Sequence, residues 1–88
     1  MTLEITSSLD WHSVQTELLA RASKLNCFSD TLKLLNNLEP LIAKLGKAEI
    51  DDRRNYDKPS RNTIEMVTKI NEEINNIDKM LMFAALYK

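Results

Sequence analysis

The stretch "DDRRNYDK" (Asp51 to Lys58) places three acids, three bases and a tyrosine within eight residues. Adjacent arginines pair with carboxylate or phosphate groups, because each guanidinium presents a planar fork of donors. Arg53, Arg54, Lys58 and the nearby Arg61 are therefore the candidates for anion or charge contacts. In the plainer alternative, the mixed signs satisfy one another in a solvated segment, where single ion pairs contribute little.

Other reactive residue types are sparse. His12 is the single histidine and Cys27 the single cysteine. A catalytic histidine needs a nucleophile or an orienting partner within hydrogen-bond reach, and no partner is evident near His12. A reactive thiol needs an electropositive setting, which Lys24 and Asp30 together do not provide, so Cys27 is expected to be a small buried residue. Within Asp51–Asp52 and Glu72–Glu73 the two carboxylates are adjacent, and adjacent side chains on a helix do not face the same way. One histidine and one cysteine cannot assemble a four-ligand zinc site. A single glycine leaves no loop to cradle a phosphate. No catalytic residue, cofactor or metal is expected. The apolar stripes supply no polar lining for a small-molecule ligand, and a non-enzymatic chain is the expectation.

Twelve Lys+Arg against thirteen Asp+Glu give a net charge of −1. Nucleic-acid binding draws most of its affinity from a basic surface that neutralises phosphates, so it is disfavoured. The alternative that survives is a small helical dimeric regulator touching phosphates through the basic residues of 53–61. "MTLEITSSLDW" has neither a basic n-region nor an apolar h-region. The longest apolar run is eight residues, against about 20 for a membrane span. A cytoplasmic location is expected, and a lone cysteine is compatible with it.

The elements that must position these residues are helical throughout. Trp11, Val14, Leu18, Ala22 and Leu25 recur at spacings of three and four, which predicts a first helix over about 9–26, capped by Ser8 and ended by Asn26. Leu32, Leu35, Leu38, Ile42 and Leu45 predict a second over about 30–46, with Ser29 or Asp30 as its cap. Pro40 inside it predicts a kink, or a break with a restart near Asn37. Gly46 marks its expected end, although "KAEIDDRR" has the content to carry it to about residue 54. Residues 47–60 are then a charged inter-helix segment, and residues 1–7 an N-terminal tail. Ser60 or Asn62 caps a long third helix over 61–87, whose seam is Val67, Ile70, Ile74, Ile77, Leu81 and Ala84.

The pattern makes one domain: an all-α, antiparallel three-helix arrangement with the last helix overhanging the others. A chain of 88 residues buries only roughly 60–65 % of its unfolded surface, so oligomerisation is expected to supplement its stability. The overhang is where a contact is expected. From Met80 to Tyr87 all eight residues are apolar or aromatic. Leu81 and Ala84 stay near the seam, Met82 and Leu86 lie to one side, Met80 and Tyr87 to the other, and Phe83 points away from it. Ile77, Met80, Leu81, Met82, Phe83, Leu86 and Tyr87 are the predicted partner-binding residues. The partner is another protein, a second copy, or both, as in a small bacterial or phage adaptor, chaperone or inhibitor.

Overall fold

The three apolar stripes close on one another. The computed structural model describes residues 3–55 and 58–87; Met1 and Thr2 of the predicted tail, Tyr56 and Asp57 of the charged stretch, and Lys88 lie outside the described residues. A short 3-10 turn at Ser8–Asp10 leads into α1 (Trp11–Lys24), followed by α2 (Phe28–Asn55) and α3 (Arg61–Leu86). Among the described residues there is no strand. Asp52 near the end of α2 bonds to Ser60 and Thr63 at the start of α3, so those two helices run antiparallel. Arg21, late in α1, pairs with Asp78, late in α3, so these two run the same way. The result is an up-down-up rod measuring 49 × 20 × 16 Å.

The core is the stripe the spacing predicts. Val14, Leu18 and Ala22 of α1 meet Leu35, Leu38 and Leu45 of α2 and Ile70, Ile74 and Leu81 of α3 in one cluster. Trp11 joins them, and its indole N–H donates to Glu39 Oε1 at 3.1 Å, which satisfies its one polar atom. Asn26 ends α1 in the left-handed region at φ 58. The Cys27 N–H returns to the Ala22 carbonyl at 3.0 Å, and the Asn26 N–H to that of Ser23 at 3.5 Å. That is a Schellman stop, and it turns the chain sharply into α2.

Three expectations are corrected. First, α2 does not break near Pro40 and does not end at Gly46; it runs 28 residues to Asn55, the extension that the content of "KAEIDDRR" allowed, so residues 47–55 are helix and not a connecting segment. Asn36, whose carbonyl loses its donor to Pro40, is exposed, as is Pro40 itself, so water can take the lost bond. Second, α3 has 26 residues and does not outreach α2. Both are about 40 Å long, whereas α1 with its 14 residues spans only about 21 Å. The short helix is the first one. Third, the N-terminal residues are not all tail. Ile5 is 1 % exposed and belongs to the core. Its N–H donates to Asn71 Oδ1 at 2.8 Å, and Asn71 Nδ2 donates back to its carbonyl at 2.9 Å.

Gly46 now sits in a helix interior, where glycine costs about 1 kcal/mol relative to alanine. A Cβ there would lie 3.6 Å from Ser8 Oγ, an ordinary contact distance. Gly46→Ala is therefore expected to raise stability by up to about 1 kcal/mol in urea unfolding. A loss would mean that Ser8 cannot accommodate even a methyl group.

Candidate functional site

The two ends of the rod differ in chemistry. At one end lie the close of α1, the start of α2 and the close of α3. The period that builds the core also divides the apolar run there. Ile77 and Leu81, predicted as partner contacts, are 4 % and 0 % exposed and belong to the chain's own core. Met80 is half-buried against it. The remaining predicted contacts are open to solvent: Met82 at 55 %, Phe83 at 59 %, Leu86 at 76 % and Tyr87 at 87 %. Phe28, the first residue of α2, adds a further exposed ring at the same end of the bundle. Sequence reasoning did not single it out, because an isolated aromatic at a turn carries no periodicity.

At the other end, polar side chains fasten the termini of the elements. Ser7 caps the 3-10 turn, its hydroxyl accepting from the Leu9 N–H at 3.2 Å. Asp10 reciprocates: its Oδ2 accepts from the Thr6 N–H and the Thr6 hydroxyl, both at 2.7 Å, and from the Ser7 N–H at 3.3 Å. This set, led by the Thr6 N–H and hydroxyl, holds the Asp10 carboxyl below its usual range. Glu49 of α2 accepts from the Ser8 N–H and hydroxyl, tying the turn to α2. The capping box thus sits on Ser7 and serves the 3-10 turn, whereas α1 itself starts after Asp10 without a side-chain cap, so Ser8 is not the cap that the sequence predicts.

Ser60 caps α3, its Oγ accepting from the Thr63 N–H at 3.3 Å. Asp52 Oδ2 accepts from the Thr63 hydroxyl at 2.6 Å and the Ser60 N–H at 3.0 Å. Those donors, Thr63 first, lower the Asp52 pKa. A lowered carboxylate pKa contributes stability that is fully present above the unfolded value, near 3.9, and is lost only as the pH falls through the folded one. The clasp between α2 and α3 therefore holds at neutral pH.

Between the clasp and the N-terminal crossing lies a groove of about 410 Å³. It exists because α1 starts opposite Glu39 and leaves the last turns of α2 and the first turns of α3 without a third helix. Arg53 and Lys58 line it, together with Pro59, Ile64 and Val67. Two of the four predicted anion contacts thus meet at one place. Arg54 is exposed, and Arg61 is engaged with Glu65 at 3.3 Å on an exposed helix face. Thr6, Ser7 and Thr68 also line it, away from the apolar stripes that form the core.

Among the described residues, no group of three or more His, Cys, Asp or Glu side chains is placed to hold a metal ion, and no helix is long and apolar enough to cross a membrane. Compared with protein-family models, curated proteins and solved structures, the chain has no match.

Proposed function

We propose that the chain is a non-enzymatic protein–protein interaction module that acts through the end of α3, in the manner of a small cytoplasmic adaptor, chaperone or inhibitor. One observation carries this: Met82, Phe83, Leu86 and Tyr87, four large side chains within six residues, are each more than half exposed. Contiguous exposed apolar groups rimmed by polar ones mark contact surfaces. Aromatic and methionine side chains supply most of the buried area at such contacts, and methionine re-packs against partners of different shape. The mode is helix-in-groove recognition, with anchors three and four residues apart seated in a partner's apolar cleft. The partner is another protein or the same end of a second copy.

The test is solution mass by light scattering, followed by site-specific photo-crosslinking in cells. A full-length dimer that Phe83→Asp with Leu86→Asp converts to a folded monomer assigns the surface to self-association. A full-length monomer shifts the test to crosslinkers placed at positions 83 and 86, which should capture one defined protein, with exposed Glu72 as the control position. Equal capture from all three positions overturns the proposal. So does loss of helicity in the double variant, since that would make both residues part of the core.

A further inference from the structure

The groove at the opposite end of the rod has a chemistry of its own, and it does not depend on the α3 contact surface. Its volume of about 410 Å³ falls within the roughly 300–1,000 Å³ of small-molecule sites. Pro59, Ile64 and Val67 give it an apolar part, and Ile64 is 55 % exposed, so a hydrocarbon lying there would remove solvent-exposed apolar surface.

Among the described residues, four charged side chains line the groove: Glu49, Asp52, Arg53 and Lys58. They are not equally available. Glu49 is held by the Ser8 N–H and hydroxyl, and Asp52 by Thr63 and Ser60. Neither Arg53 nor Lys58 has an ion pair among the described residues. The acids are committed to the fold, while the two cations have donors to give. We propose that this groove binds a small amphipathic monocarboxylate, its carboxylate forked by Arg53 with support from Lys58 and its hydrocarbon body against Ile64 and Val67. The charges of these four described residues sum to zero, which argues against a phosphate dianion: a multiply charged group needs a net positive wall, whereas one carboxylate is satisfied by one guanidinium fork.

The test is a methyl and amide NMR titration of the full chain with four probes: octanoate, 1-octanol, octylammonium and inorganic phosphate. Octanoate should saturate shifts at the Ile64 and Val67 methyls, at least about tenfold more tightly than the other three probes. Arg53→Gln with Lys58→Gln should weaken octanoate about tenfold or more while leaving 1-octanol unchanged. Both replaced residues are exposed, so the variant keeps its core. Equal or tighter binding of 1-octanol would reduce the groove to an apolar slot and overturn the proposal. Preference for octylammonium, which would give Glu49 and Asp52 the ruling charge, overturns it as well. Tighter binding of phosphate, the absence of saturable shifts, or shifts confined to Met82 and Leu86 would do the same.

Discussion

Leu81→Ala is expected to destabilise the isolated chain by about 2–5 kcal/mol in urea unfolding followed by circular dichroism, whereas Phe83→Asp changes stability by less than about 0.5 kcal/mol. The two residues are neighbours in one apolar run and differ only in phase. Leu81 is fully buried among the stripes of α1, α2 and α3, so truncation removes transfer free energy and opens a cavity that rigid helices refill poorly. Phe83, two residues on, is turned about 200° around the helix and is 59 % exposed. A domain of this size has a total stability of about 4–13 kcal/mol, so the first change removes a large share of it. If Phe83→Asp unfolded the chain as Leu81→Ala does, the end of α3 would be core, and the proposed contact surface would lose its basis.

Asn71→Ala is expected to cost about 2–3 kcal/mol, more than an ordinary substitution on a half-buried helix face. Its side chain donates to the Ile5 carbonyl and accepts from the Ile5 N–H, doing for one extended residue what a neighbouring strand would do. Without it, both backbone groups lose their partner next to a buried isoleucine. The local readout is hydrogen exchange: the Ile5 amide should lose its protection in the variant while the Leu18 and Ile74 amides lose it only in step with global stability. A cost below about 0.5 kcal/mol, with Ile5 still protected, would show that apolar burial alone holds the segment.

The division of labour between sequence and tertiary structure is visible in these two pairs. Helical spacing places Leu81 on the seam of α3 and Phe83 away from it, so the period contains the answer for the C-terminal run. Assigning Leu81 and Ile77 to a partner weighed the composition of the run above its phase. Asn71 and Ile5 were not legible in the same way. They are 66 positions apart, and nothing local in "LEITS" distinguishes a docked segment from a tail. Asp52 was visible only as one charge in a mixed cluster, and its partners on α3 required the turn to be closed.

By itself the sequence determined the fold class, the three apolar stripes and the Asn26 stop, and narrowed the start of α3 to Ser60 or Asn62, because each rests on local spacing and local hydrogen-bond supply. It also placed Trp11 in the core. What only the tertiary structure decided is how far each helix is covered by the others. Pro40 weakens a helix locally, yet α2 continues because its stripe is buried on both sides of it, by Leu35 and Leu38 before and Ile42 and Leu45 after, and packing outweighs propensity. Beyond Gly46 the ties are polar: Glu49 accepts from Ser8, and Asp52 from Ser60 and Thr63. The point at which α1 begins along α2 and α3 is set by contacts between residues 28 to 66 positions apart. That register leaves one end of the rod with a groove lined by Arg53 and Lys58. At the other end it leaves Phe83 and its neighbours bare.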